Sequence, residues 1–577
     1  MKTKEIISQA LSKNISTIIY FIGTLIITAT LQIFCILILR TLVDNIFVTP
    51  VEEAPSLAAW IALFVVSNVV MVGIGLINKN LALTISSSVS TNLSKAAYSA
   101  SIRSEIQEIE KIDKQELVTK ILDDSTYIGE VYIGKNLFLF FRNIVYIISF
   151  FISMMIISPI LGLIAFGAIP IFYTLIRSYD KYFSRVSSRA EISKNERSRS
   201  INDDLVNIRS IKLRNGIIQA EEDMGKLDDK FNRTQRSYGI FKDIKDNKLN
   251  DLLIGLLMGL LLGVGGYLST RGTHIPGTIV AVVIMTTLVY RMVKQLMYNN
   301  IMPSFIESEL ESLENIITVK SEFKAEPITS LDEIHSFKFQ DVSYSTRKAK
   351  ISNVNFELKR GEKLGILSLE ENNDKLIFEL LTKLVRPKEG IISINNCDYN
   401  KINTIYLRSL ITAIPDERHL FNETIANNII YPLAFDEYKY NDALNKSGLK
   451  NMLSQYPDKD QTVINEENSL DTEMIHRIIF ANAFYKDSKI FVLNETNTKL
   501  DPRSEEALMQ EIFELKNKIT IVITDKNYSI LNCNKVLILG KGEVVEYGKV
   551  DELINNKNST LYKLIKKVKT IKSANVS

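Results

Sequence analysis

The sequence predicts a multidomain membrane protein. An all-α domain of six transmembrane helices with long cytoplasmic helical extensions comes first, and an α/β domain with a mostly parallel sheet follows. Three observations carry this. Uncharged apolar runs fill the first half, two charged stretches nearly free of Pro and Gly separate them, and from about Ile334 short β-branched strands alternate with amphipathic helices. A chain of 577 residues is long enough for two or more domains. The formal net charge of +3 argues against nucleic acid as a partner. Cys35, Cys397 and Cys533 lie too far apart for a disulfide framework or a zinc motif.

A helix needs about 20 apolar residues to cross the hydrocarbon core. Uncharged runs cover 14–39, 55–78, 143–176, 252–270 and 275–290, and the third holds two passes joined at Ser158-Pro159. The expected spans are therefore about 15–39, 56–78, 136–157, 160–176, 252–270 and 275–298. The first is too long for a secretory signal and lacks a small-residue cleavage site. Lys2, Lys4 and Lys13 precede it, the loop 41–56 has acids but no Lys or Arg, and Lys79, Arg177, Lys181 and Arg185 follow spans two and four. By the positive-inside rule both termini are cytoplasmic, in a cell inner (plasma) membrane, with only Arg271 in an outer loop.

The charged stretches 80–135 and 178–250 show helical periodicity and are expected to be long helices whose tips reach a cytoplasmic domain. Gly255, Gly259 and Gly263 form a small-residue ridge suited to helix packing. Arg142, Arg291 and Lys294 end spans three and six. They either face an anionic group in a substrate cavity or snorkel to the inner headgroups. The membrane domain is set at 1–315, a linker at 316–334, the α/β domain at 335–555 and a basic tail at 556–577. Strands are expected at 364–367, 489–493 and 519–524, and a hairpin at 535–539 and 543–547.

Four stretches in a fixed order carry a family resemblance. They are Leu-Phe-Asn-Glu-Thr-Ile-Ala-Asn-Asn-Ile at 420–429, Arg-Ile-Ile-Phe-Ala-Asn-Ala-Phe at 477–484, Leu-Asn-Glu-Thr-Asn-Thr-Lys-Leu-Asp at 493–501, and Gly-Glu-Val-Val-Glu-Tyr-Gly at 542–548. With six spans and two helical hairpins, the chain resembles an ABC exporter half-transporter over nearly its whole length. That resemblance implies an ABC ATPase-like, P-loop-type second domain, with no peptidase domain before span one.

Measured against that family, the phosphate chemistry is depleted. A working loop reads Gly-x-x-x-x-Gly-Lys-Ser/Thr between a strand and a helix. Here the glycine positions hold Ser368, Glu371 and Asn373, the lysine position holds Asp374, the Ser/Thr position Lys375, and Leu376 follows; the helix is expected from about Leu376. Three carboxylates, Glu370, Glu371 and Asp374, would face a polyanion. Two unit charges at 4 Å interact by about 4 kcal/mol at a surface-like dielectric, so swapping a cation for an anion is worth several kcal/mol. Glu371 or Asp374 either stands in for phosphate at the helix N-terminus or is an ordinary solvated loop charge. Thr346 takes the adenine-stacking position, so the ring is expected to be absent. Asp416 takes the Gln-loop position and Asp525 the switch-histidine position. Leu470, Asp471, Thr472, Glu473 and Met474 replace the signature, Asn494 takes the magnesium-associated Walker B position, and Glu495 and Asp501 match the general base and D-loop. Without nucleotide or metal, Glu495 reads as an exposed strand-end charge.

The expectation is a pseudo-ATPase, not an enzyme, that pairs with an intact half-transporter to export a small molecule or peptide. Two alternatives are a homodimeric immunity factor, receptor or scaffold, and a weak ATPase using Glu495 and Lys375. No cofactor is expected to bind tightly, and ATP with Mg binds weakly or through a partner. No metal site is expected, and the partners are the lipid bilayer and a second half-transporter or copy.

Overall fold

The computed structural model describes residues 3–47, 57–272, 275–298, 306–323, 326–331, 333–370, 372–465, 470–496 and 501–566. The chain divides into two compact units, Met1–Tyr98 with Gln115–Thr318, and Ser99–Lys114 with Val319–Ser577. Sequence reading put residues 99–114 in the membrane domain. They group instead with the second unit, because their short helix Ile106–Ile109 packs and hydrogen-bonds there.

Six helices in the described residues are long and apolar enough to span a bilayer: Ile15–Ile46, Leu57–Arg103, Lys114–Ile157, Pro159–Val206, Ile217–Thr270 and Pro276–Met297. Hydrocarbon offers no partner for backbone N–H and C=O groups, so a crossing segment satisfies them internally as helix. The double run breaks where expected. Ser158 is extended (φ −155°, ψ 96°), and Pro159 opens the next helix, where a missing N–H leaves no bond unmade.

The stretch 178–250 is helical almost throughout. Pro159–Val206 and Ile217–Asp243 pair through Arg197–Asp228 and Lys230–Glu196, both 2.6 Å. The stretch 80–135 is less regular than expected. After Arg103 it breaks into short helices, and Lys120–Asp124 and Tyr127–Leu137 are π-helical. A Cβ on Gly129 or Gly134 would lie 2.6 Å from Ser90 Cβ or 2.7 Å from Ser86 Cβ, so these glycines let the wide helix lie close on Leu57–Arg103. The ridge Gly255, Gly259 and Gly263 does not serve helix packing within this chain. A Cβ at any of the three would meet nothing within 4 Å, whereas Gly265 is the residue pressed against Ile279.

The second unit holds two sheets. β1 (Ser336–Ser345), β2 (Lys350–Lys359), β4 (Glu389–Ile394) and β5 (Cys397–Asp398) form an antiparallel sheet in the order β2-β1-β4-β5. β3 (Lys363–Ser368), β6 (Ile411–Ile414), β7 (Ile490–Asn494), β8 (Ile519–Ile523), β9 (Lys535–Gly540) and β10 (Glu543–Lys549) form the order β10-β9-β3-β8-β7-β6. All neighbours in the second sheet run parallel except the β9–β10 hairpin. β7 and β8 are buried along their whole length, as a parallel sheet covered on both faces requires. Ile366 and Asn494 both pair with Ile523, so the loop after β3 and the residues after β7 leave the sheet at one edge.

Candidate nucleotide site

That edge assembles the site. The helix after β3 begins at Asn373, three residues before its sequence-predicted start. Asn372 caps it in the left-handed region at φ +70°, a turn that Asn tolerates. Asp374 and Lys375 are consequently first-turn helix residues, and Leu376 is buried in the core.

The side chains of the loop hydrogen-bond to their surroundings. Ser368 Oγ donates to Glu370 O at 2.8 Å, Glu370 Oε1 accepts Lys541 N–H at 2.5 Å, and buried Asn373 accepts Lys350 N–H at 3.0 Å. Asp374 is no solvated loop charge: the Thr496 hydroxyl lies 2.8 Å from its Oδ2 and 2.8 Å from Asn494 Oδ1. Glu371 lies outside the described residues.

Lys375 points to the other side, 3.7 Å from Glu110. Burial opposes its charge, but Glu110 and Glu379 outweigh that and hold it above the ordinary lysine range; burial pushes Glu379 up. Lys375 lines a cavity of about 640 Å³ that contains five cations (Lys111, Arg347, Lys348, Lys375 and Lys388) against two carboxylates, Glu110 and Glu379. Thr346 lines this cavity as the sequence alignment implied, but a ring is present too. Tyr344 donates its hydroxyl to Gln107 Oε1 at 2.7 Å and lies under Lys388 Nζ at 5.0 Å.

The other motif positions divide between structural and chemical roles. Asp471 caps helix Thr472–Lys486 by accepting Met474 N–H at 2.7 Å, and Met474 is buried beneath it. Glu473 is bound to Arg477 at 2.8 Å and to Ser504 Oγ at 2.9 Å. Neither is a bare carboxylate waiting to oppose a phosphate, and Leu470 packs half-buried on the core. Asp501 caps helix Pro502–Phe513 through Arg503 and Ser504 N–H groups. Asp525 is exposed, and Asp416 is half-buried after β6.

Glu495 is not the exposed strand-end charge that its sequence context suggested. It is 2% exposed, burial raises its pKa, and Lys526 Nζ lies 3.7 Å away while also pairing with Glu505. Sequence reasoning missed its surroundings. Arg418 Nη1 lies 2.5 Å from His476 Nδ1 and stacks over Phe480 at 5.5 Å. Burial lowers Arg418 to about 10, and burial with the Arg418 charge lowers His476 to about 4. These residues are 58 apart in the chain, so only the fold unites them.

A nucleotide's anionic groups fit this edge by charge and by the helix N-terminus at Asn373. A magnesium ion fits less well. Asn494 stands at its position, is wholly buried, and turns a donor Nδ2 without a partner among the described residues where a carboxylate oxygen is needed.

Comparison with known proteins agrees with the architecture. Residues 18–292 match the ABC transporter transmembrane region. The chain is 27% identical over 406 residues to the ATP-dependent lipid A-core flippase of Desulfotalea psychrophila, covering 68% of this chain and 70% of the relative. It is 26% identical over 490 residues to an export ATP-binding/permease protein of Rickettsia typhi, covering 82% of each. The solved structure of a bacterial Atm1-family ABC exporter with ATP bound superposes with a TM-score of 0.74 at 16% identity, covering 96% of this chain and 99% of that one. These relatives overturn the expectation that the chain is not an enzyme: they are named ATP-dependent and ATP-binding, and a match of 490 residues has to reach into the second domain.

Proposed function

We propose, from the premise that this chain is an ABC exporter half-transporter with a membrane domain fused to a cassette, that it is an ATP-dependent export subunit working as one half of a dimer in a bacterial inner membrane. Both termini are cytoplasmic in this reading. Its own nucleotide contact runs through the cavity beside the helix that follows β3, where Lys375, Lys348 and Lys388 supply the positive charge that a glycine-rich loop would supply with N–H groups. The observation that carries the reading is this preserved strand–loop–helix with a net-positive cavity at its side.

Asp374 in the first helical turn weakens phosphate binding, so nucleotide is held more loosely here than in a complete loop, and a partner half-transporter holds the second nucleotide tightly. Glu495, buried at the end of β7, is the general base of this half. The test is ATP turnover and vesicle export by the purified chain alone and with a co-expressed half-transporter that carries an intact phosphate loop. Turnover that rises when the partner is present supports the pairing. A lone chain whose turnover and export are already complete replaces it with a homodimer.

A further inference from the structure

A magnesium ion that accompanies a triphosphate takes oxygen ligands in a tight octahedron, with one or two carboxylates from the protein and the rest from phosphate and water. The edge where β3 and β7 flank β8 offers it little of that kind. The Ser/Thr position, whose hydroxyl holds magnesium in a complete phosphate loop, is Lys375, a side chain with three donors and no acceptor. Asn494 is neutral and wholly buried, and its Oδ1 is turned to Thr496, accepting the N–H at 3.2 Å and lying 2.8 Å from the hydroxyl.

The carboxylates at this edge are engaged by the protein itself. Asp374 Oδ2 accepts the Thr496 hydroxyl at 2.8 Å. Asp416 lies within electrostatic reach of Lys375 and of Arg418. Buried Glu495 lies 3.7 Å from Lys526 Nζ and within reach of Arg418 as well. No group of three or more His, Cys, Asp or Glu residues among the described residues is placed to hold a metal ion. The protein's own cations thus stand where the charge of a divalent ion would act. The cavity beside the helix after β3 repeats the pattern, with Lys111, Arg347, Lys348, Lys375 and Lys388 against Glu110 and Glu379.

A free triphosphate carries the negative charge that magnesium would otherwise offset, so a cationic cavity poor in metal ligands favours the free form. We infer that this site takes a nucleoside triphosphate as the metal-free polyanion, with Lys348, Lys375 and Lys388 in the charge-neutralising place of a divalent cation. The inference names the ionic form of the ligand for the nucleotide reading above and rests on that reading.

The test is equilibrium dialysis of radiolabelled ATP against the purified full chain in a nonionic maltoside. One series contains excess magnesium chloride and the other EDTA, at matched ionic strength. Affinity in EDTA is expected to exceed that in magnesium by about threefold, the scale of half-exposed charge pairs. Lys348→Gln and Lys375→Gln should each weaken ATP in EDTA by a similar factor. Weaker binding in EDTA than in magnesium overturns the inference and keeps the nucleotide reading. Binding under neither condition rejects the nucleotide reading, and the inference with it. Undiminished binding in EDTA by both lysine variants overturns the assignment to this cavity.

Discussion

Asp374 Oδ2 accepts the Thr496 hydroxyl at 2.8 Å, tying the first turn of the helix after β3 to the residue that follows Glu495. The bond exists because β3 and β7 both flank β8 and end at the same level. It joins the carboxylate at the phosphate-loop lysine position to the residue two positions past β7, beside Glu495.

Removing that charge should therefore strengthen nucleotide binding. Asp374→Asn keeps an acceptor for Thr496 and deletes the repulsion, so ATP affinity should rise about tenfold, the discounted share of a Coulomb term of a few kcal/mol. Adenosine affinity should not change. Equilibrium titration of both ligands at low salt separates the two, and an equal gain for adenosine would show that the loop had merely reshaped.

Glu495 is buried beside Lys526 rather than solvated. Glu495→Gln should lower the steady-state ATP turnover of the dimer by about a hundredfold or more, the usual contribution of a positioned base. Nucleotide affinity should be nearly unaltered. Turnover that survives the substitution would assign the chemistry to the partner.

His476 makes stability depend on pH. Its folded pKa, about 4, lies below the ordinary value of 6.5, so below pH 6.5 the unfolded chain takes up a proton that the folded chain refuses. The stability present above pH 6.5 is lost as pH falls toward 4, in total about 3 kcal/mol. Urea denaturation of the full chain in detergent should show the decline between pH 6.5 and 5. His476→Asn should flatten that part of the profile.

The trio of buried Lys383 with half-buried Glu326 and Arg386 makes a separate claim about stability. Lys383 Nζ lies 3.0 Å from Glu326 and donates to the carbonyls of Tyr399 and Ile402, and Arg386 reaches Glu326 at 2.7 Å. Burial pushes Glu326 up, but the hydrogen bonds from Lys383 and Arg386 outweigh it and hold the carboxyl below its usual range. Lys383→Ala leaves the Glu326 carboxylate with Arg386 as its remaining cation and empties the position that bonds the Tyr399 and Ile402 carbonyls, and should destabilise the fold by about 3 kcal/mol. Glu326→Gln, which keeps a hydrogen-bonding oxygen, should do less, as measured by thermal melting.

The membrane half was legible because hydrophobic run length is a local property: the break at Ser158-Pro159 and the paired helices around Arg197 and Asp228 can be read one segment at a time. The strands were legible for the same reason, from β-branched runs such as 519–523. The chemistry of the cassette was not. Motif positions alone name Asp374, Asp471 and Glu473 as acids in place of the family's residues, and do not show that Thr496, the Met474 N–H and Arg477 engage them. They also miss Tyr344, Lys348 and Lys388, which gather around Lys375 from β1, the turn between β1 and β2, and the residue before β4. Local sequence determined which segments cross the membrane and which become helix or strand, because burial and backbone hydrogen bonding are decided within a few residues. Only the tertiary structure decided what each charge faces, because a carboxylate's energy depends on partners brought within a few ångströms by chain folding and not by neighbours in sequence.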